Sequence, residues 1–363
     1  MNKHILPLLA AALVVITACQ PAPAGPDDTT RTSADRVDPA ASPRAVLMGE
    51  GGWGMNNASL ALVDNRQGTV VADWFERMNG RGLGDLAQDI ILYGSSLYVT
   101  VSESGSLEVV DTATGRSQRV DLGTAYPRYI AASGGKLYVS CYNPHCVIRI
   151  DTSSLAVEAR CELGDYNPEG LAVAAGRLFV ASSNVSDQSG SYSYDSVLYV
   201  VDLASFDMPS RLVVGSNPQC VIPVDSQRVA VTYWGDYGQH PAGAAVVDAT
   251  TLGVRQLPVA LSGLTVHDGD IYGYASTYSA DYSTKVTDYY RIDIQTLEAS
   301  PILAGCGVDR PYAIGVDPRN GDILLATDGN YSAAGRVHCF SADGKQRWQG
   351  QAGFFPSKFI FLP

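Results

Sequence analysis

The sequence predicts an all-β protein, a seven-bladed β-propeller with four antiparallel strands per blade and a ring closed by N- and C-terminal strands that share one blade. Three observations predict it. An alternating apolar run ending in Asp and a turn recurs at residues 60–64, 107–111, 147–151, 198–202, 244–248 and 289–293, with a degenerate copy at 337–341 that ends in Ser341. Successive Asp residues stand 40 to 51 positions apart, the period of stacked or radially arranged units. Before nearly every such run lie two short apolar segments joined by a Gly-rich or polar turn, which reads as a hairpin.

The N-terminus reads as a processing segment. Lys3 is followed by an apolar stretch over 5–16 and then by Ile16-Thr17-Ala18-Cys19, small residues leading into Cys. The stretch is too short to span a bilayer, so residues 1–18 are expected to be a signal peptide. The lipobox makes Cys19 the expected lipidation site, and several acyl chains on one residue anchor stably. Residues 19–44 follow as the lipidated Cys and a flexible tether rich in Pro, Ala, Asp, Thr and Ser. The expected location is the outer membrane, held by lipid alone and facing the cell surface; Asp27-Asp28 is a weak export cue.

The propeller is expected over 45–363. Its first part supplies strands at 45–49, at the run ending in Asp64, and at 70–75. Complete units then follow, beginning with 86–91 and 96–99, and continuing with 126–130 and 136–140, 167–171 and 177–180, 217–219 and 228–231, 264–266 and 270–272, and 311–314 and 322–325. Each is completed by its Asp run and a fourth short strand such as 157–163, giving roughly 45 residues per unit. The segment 353–362 is a first strand with no continuation, so the two ends together make one blade and leave no exposed sheet edge. The Asp that closes each repeat is expected to cap the turn into the fourth strand. No helix of useful length is expected.

Composition narrows the function. Lys+Arg 25 against Asp+Glu 37 gives a net charge of −12, which excludes a phosphate-binding surface for nucleic acid. After Cys19, six cysteines remain, an even count that permits disulfides in an exported chain. Cys141 and Cys146 flank a hairpin loop, so they are either a cross-strand bridge or buried free thiols. Their spacing is poor for zinc.

In such a blade, the loops between the second and third strands share a face with the loops that connect blades. Here those loops are long and aromatic, whereas the turns between first and second strands are short and bland. Large amphipathic rings above a rigid scaffold are recognition elements. The candidate ligand-binding residues are Trp53, Arg128, Tyr142, Tyr194, Tyr233, Trp234, Tyr278 and Tyr331. The inter-blade loops add the Gly-rich run 80–89, Asn167, Asn217, Arg310 and Lys358 around the channel mouth. No Lys-Ser/Thr follows the glycines, so they read as a tight bend and not a phosphate loop.

Catalytic signals are thin. H-E-x-x-H and G-x-S-x-G are missing, and His145, His240, His267 and His338 fall in different units. Acids on the same face include Glu50, Asp89 and Asp328, but no D-x-D-x-D-G calcium loop occurs. No catalytic residue, metal or cofactor is expected.

The phrases Asn56-Asn57-Ala58-Ser59-Leu60, Asn79-Gly80-Arg81-Gly82-Leu83-Gly84-Asp85-Leu86-Ala87-Gln88-Asp89, Pro127-Arg128-Tyr129-Ile130 and Asp328-Gly329-Asn330-Tyr331 resemble the YncE-like propeller lipoproteins of Bacteroidota, from about residue 46 to the end. The resemblance is to the cobalamin-binding surface members of that group. It implies a non-enzymatic lipoprotein whose ligand is cobalamin or another corrinoid and whose partner is a TonB-dependent outer-membrane transporter. A corrinoid is a broad disc rimmed by amides, which Tyr, Trp, Asn and Gln on a rigid rim suit at little ordering cost. The same surface also suits a glycan or a peptide. Two alternatives stand beside it: a protein-interaction or surface-layer propeller without a small ligand, and a lactonase-like or quinone-dependent propeller enzyme.

Overall fold

The computed structural model describes residues 44–207, 209–278 and 285–363. The expected leader, Cys19 and nearly all of the tether lie outside them. Seven four-stranded antiparallel sheets form the propeller. Blade 1 comprises Ala87–Tyr93, Ser96–Val101, Ser106–Asp111 and Ser117–Asp121. Blade 2 comprises Pro127–Ser133, Lys136–Cys141, Cys146–Asp151 and Val157–Glu162. Blade 3 comprises Pro168–Ala174, Arg177–Ser182, Val197–Asp202 and Ser210–Val213. Blade 4 comprises Pro218–Pro223, Arg228–Tyr233, Gly243–Asp248 and Val254–Gln256. Blade 5 comprises Gly263–His267, Asp270–Tyr278, Lys285–Ile292 and Ala299–Ile302. Blade 6 comprises Pro311–Val316, Ile323–Thr327, Arg336–Phe340 and Gln346–Gln351.

Blade 7 is the splice. Its first strand is the C-terminal Pro356–Phe361, and the other three are Arg44–Gly49, Ser59–Asp64 and Thr69–Val71. The register Val46↔Ile360 and Leu47↔Phe359 joins the two ends of the chain. The seven first strands touch in an unbroken circle, with Pro356–Phe361 meeting both Pro311–Val316 and Ala87–Tyr93. The first strands therefore line the axis.

Packing explains the sequence pattern. Each blade is covered on both faces by its neighbours, so second and third strands read as nearly continuous apolar runs such as Leu97-Tyr98-Val99 and Leu198-Tyr199-Val200-Val201. Apolar clusters bridge neighbouring blades: Leu107 and Val139 between blades 1 and 2, Phe179 and Val231 between 3 and 4, Leu324 and Phe359 between 6 and 7.

The repeated Asp is a turn cap, as expected. Asp64 Oδ1 accepts the amides of Arg66 and Gln67 at 2.9 and 2.8 Å, and Asp248 Oδ1 those of Thr250 and Thr251 at 2.9 and 2.7 Å. Asp111, Asp151, Asp202 and Asp293 do the same. In blade 6, Ser341 Oγ takes the role by accepting the Lys345 amide at 3.2 Å. A short acceptor that bonds amides two and three residues on stabilises this turn.

Three local expectations are corrected. The strand expected over 70–75 ends at Val71, and a helix spans Trp74–Asn79. Trp74 and Phe75 are both buried, which adjacent strand residues on opposite faces do not achieve at a sheet edge; Arg77 pairs with Asp73 at 2.6 Å, and Gly80 closes the helix at φ 65°. The long aromatic loop expected between the second and third strands of blade 3 holds its own two-stranded hairpin, Asn184–Ser186 with Tyr192–Tyr194. In blade 5 the second and third strands run on, through Tyr278 and from Lys285, into the long loop expected between them.

Cys141 and Cys146 face each other in register as buried free thiols, and the other four cysteines are also free. Burial pushes Cys161 and Cys220 up to about 11 and Cys339 to about 12, so these thiols stay protonated at neutral pH.

Candidate functional site

A repeated backbone irregularity builds the channel mouth. In six blades the first strand carries a one-residue bulge near its start, following Ala87, Pro127, Pro168, Pro218 and Pro311 and preceding Lys358 in blade 7. Pro is tolerated there because the first residue of a strand needs no ladder donor. The bulge re-aims the residue behind it, and those residues are Gln88, Arg128, Glu169, Gln219, Tyr312 and Ser357.

Three of them meet. Arg128 donates through Nε and Nη2 to Glu169 Oε2 at 3.3 and 3.1 Å, and through Nη1 to Gln88 Oε1. The Tyr142 hydroxyl donates to Glu169 Oε1. The guanidinium also stacks 4.5 Å from the Tyr142 ring centroid. Burial opposes the Arg128 charge, but Glu169 and the two facing tyrosines, Tyr142 and Tyr129, outweigh it and hold its pKa above the ordinary guanidinium value. Burial, reinforced by Glu169, raises the Tyr142 hydroxyl as well. Blades 1, 2 and 3 are thus tied together by one polar knot.

Other ties complete the rim. Lys358 Nζ lies 2.6 Å from Asp89 Oδ1, joining blades 7 and 1, while Asp89 Oδ2 accepts the Ile130 amide at 3.1 Å. Arg310 pairs with Asp328 at 2.9 Å and lies 5.0 Å from the Tyr331 ring centroid. Phe355 packs between Tyr331 and Tyr312 at 5.9 and 5.8 Å. The Tyr312 hydroxyl donates to Glu50 Oε2 at 2.9 Å. Burial pushes the Glu50 carboxyl up to about 7, with the Tyr312 hydroxyl opposing it in part.

Outside this rim stand exposed rings. Among the described residues, every strongly exposed aromatic side chain is on the one face: Trp53, Tyr192, Trp234, Tyr237 and Tyr331 in second-to-third-strand loops, Tyr126 and Phe354 in inter-blade loops. Trp53 is 76% exposed and Tyr237 75%. Tyr194 links blade 3 to blade 4, with ring centroids 6.3 Å from Tyr192 and 6.1 Å from Tyr237.

The candidate residues thus divide. Arg128 and Tyr142 belong to the buried knot, and Tyr331, against Arg310 and Phe355, joins the rim to the surface. Trp53, Tyr194 and Trp234 lie on the outer loops. Tyr233 is not brought into either group: its ring lies over Gly215 and Gly243, and its hydroxyl donates to Gln256 at 2.6 Å. The side chain of Tyr278 lies outside the described residues. Glu169 and Tyr312 are not among the candidates, and Gln88 enters only as part of the run 80–89. Their signal is the residue after the Pro or Ala that opens each first strand. The glycines of 80–89 are a bend, as expected: Gly84 has φ 136°, and Arg81 leaves the run to grip buried Glu108 with two bonds of 2.8 Å. Among the described residues no group of three or more His, Cys, Asp and Glu gathers to hold a metal ion.

No family model and no curated protein matches the sequence. Solved structures do share its shape. A quinonprotein alcohol dehydrogenase-like protein from Bacteroides thetaiotaomicron is 16% identical, with a TM-score of 0.63 over 87% of this chain and 78% of that one. A putative 6-phosphogluconolactonase from Bacteroides fragilis is 12% identical, with a TM-score of 0.60 over 92% and 100%. The periplasmic gluconolactonase of Pseudomonas aeruginosa is 15% identical, with a TM-score of 0.58 over 89% and 99%. At these identities the likeness is one of fold. The chain is a seven-bladed β-propeller of the architecture shared by lactonases and quinoprotein-like proteins.

Proposed function

We propose that this protein is a lipid-anchored surface protein that binds a small molecule on its aromatic face and passes it to a TonB-dependent outer-membrane transporter. The ligand we propose is cobalamin or a related corrinoid. The observation that carries the binding reading is the confinement of all strongly exposed aromatic rings, among the described residues, to one face of the wheel. Single exposed apolar residues scatter over any protein surface, but rings gathered on one face mark a contact surface. Tyr and Trp give large contact area for little loss of side-chain freedom. The knot of Arg128, Glu169 and Gln88 beneath them keeps the floor rigid, so little ordering is needed on binding. The corrinoid and the transporter rest on the sequence resemblance and on the match between an amide-rimmed disc and a Tyr-, Trp- and Asn-bearing rim. Calorimetric titration of the full chain with cyanocobalamin tests the ligand. Saturable heat supports it, and a flat titration at micromolar concentrations removes it.

A second reading, an enzyme of lactonase-like type, is favoured by Glu50. A carboxyl pushed to about 7 at a channel mouth is matched to acid–base work at neutral pH. Lactone hydrolysis by the purified chain, lost in Glu50→Gln, supports that reading; turnover equal to buffer removes it.

A further inference from the structure

We propose that His240 is an axial-ligand site, its Nε2 taking the metal at the centre of a planar macrocycle. This deepens the corrinoid reading above and rests on it.

The loop of residues 234–242 holds this imidazole in one orientation. His240 Nδ1 lies 2.6 Å from Asp236 Oδ2. Asp236 Oδ1 accepts the amides of Gly238 and His240 at 2.9 and 2.8 Å, and the Asp236 amide donates to the His240 carbonyl at 3.1 Å. Gly235, at φ 75°, lets the chain fold back so tightly that a Cβ there would stand 2.3 Å from the His240 carbonyl. The amide and ring of His240 draw the Asp236 carboxyl down to about 2, so it is an acceptor only at neutral pH. An acceptor at Nδ1 puts the ring proton there and leaves the Nε2 lone pair outward. A carboxylate behind a histidine is the arrangement that orients imidazole ligands and raises their basicity. The His240 side chain is 68% exposed, so a ligand arriving from solvent meets it. The same loop carries exposed Trp234 and Tyr237, and Tyr237 packs edge-on to Tyr194. One oriented nitrogen donor among flat apolar rings suits a flat ligand with a metal at its centre.

The step is a ligand exchange. The bond from the metal to a bound water breaks and the water leaves. The Nε2 lone pair forms the new bond, with no change in oxidation state.

Titrating the full chain with aquocobalamin and with cyanocobalamin, by absorbance and calorimetry, tests this. Aquocobalamin carries an exchangeable water where cyanocobalamin carries tightly held cyanide. The near-ultraviolet band of aquocobalamin is expected to move to its imidazole-bound position with the native chain and with His145→Ala, and to stay unmoved with His240→Ala. That variant is expected to bind aquocobalamin at least about tenfold more weakly and cyanocobalamin within about twofold of native. Asp236→Asn is expected to fall between. A band that moves in His240→Ala, or in neither protein, overturns the inference while leaving the corrinoid reading to the cyanocobalamin result. Binding of neither corrinoid overturns both.

Discussion

The Arg128 guanidinium stands 4.5 Å from the centroid of the Tyr142 ring, and both residues bond Glu169 in the next blade. Two neighbouring blades are therefore fastened through one carboxylate that is almost fully buried. Removing one partner of such a pair costs more than the pair itself contributes, because the remaining charge is stranded. Arg128→Ala is expected to lower stability by about 3 kcal/mol, read as a fall in the urea midpoint with an unchanged slope. Arg128→Lys keeps the charge but loses the planar stack and the fork, and is expected to recover only part of that loss. A midpoint unaltered in Arg128→Ala would show that the knot is ornamental.

Glu50 sets a pH dependence of unusual sign. Its carboxyl titrates near 7 in the fold against 4.5 in an ordinary setting. Between those values the native state holds a proton that the unfolded chain has lost. Stability from this group is therefore complete below about 4.5, falls as pH rises through 7, and is flat above. The full shift is worth about 3 kcal/mol, and the solvent contact Glu50 retains trims this to ~2 kcal/mol. His338, lowered by burial, acts in the opposite sense below 6.5. The quantity to measure is thus the difference between native and Glu50→Gln across pH 4 to 8 in steps of about one unit. That difference is expected to slope between 4.5 and 7; equal slopes in the two proteins would contradict the burial of Glu50.

Gly170 follows the bulged Glu169 and lies against the next blade. A Cβ there would stand 2.5 Å from the Gln219 carbonyl and 2.6 Å from the Val221 amide, both backbone atoms that cannot swing aside. Gly170→Ala is expected to cost about 1–3 kcal/mol by forcing blades 3 and 4 apart. Thermal unfolding measures it, and a melting temperature equal to native would mean that the blades yield freely.

Much of this architecture is legible in sequence because it repeats. Seven approximate copies of one strand phrase reveal the period, and incomplete sets at 45–75 and 353–362 reveal the splice. The Asp turn caps are legible because one acceptor at one position does the same work in each unit. The site is less legible because it depends on what differs between units. The residues behind the bulges are Gln, Arg, Glu, Gln, Tyr and Ser, and nothing local shows that Arg128 meets Glu169 rather than solvent. That pairing is set by the rotation between blades. Tyr233 stands apart from both groups for a related reason: the glycines at 215 and 243 that receive its ring are distant in the phrase pattern. The helix at Trp74–Asn79 escapes notice because six residues are too few to show a period.

Closure of the ring rests on the last strand. Pro356–Phe361 pairs with Arg44–Gly49 and seats Phe359 in the cluster shared with Leu47 and Leu324. Deleting residues 356–363 removes that pairing, exposes an apolar edge and opens the contacts to blades 1 and 6. The shortened chain is expected to aggregate or to elute as mixed oligomers in size-exclusion chromatography. A monomer with native circular dichroism would show that the ring closes without its splice.

The exposed rings separate binding from folding. Trp53 is 76% exposed and Trp234 48%, so replacing both with Ala removes modest packing, and stability is expected to fall by no more than about 1 kcal/mol per site. If the aromatic face holds the ligand, the same double variant loses broad stacking surface at two points of the rim. Contact aromatics of this kind commonly carry more than 1 kcal/mol each, so affinity for cyanocobalamin is expected to fall at least about tenfold. Calorimetry with native and variant chains measures this beside urea unfolding of both. Unchanged affinity with unchanged stability would place the ligand away from these loops, and parallel losses in both would mean that the rings serve the fold.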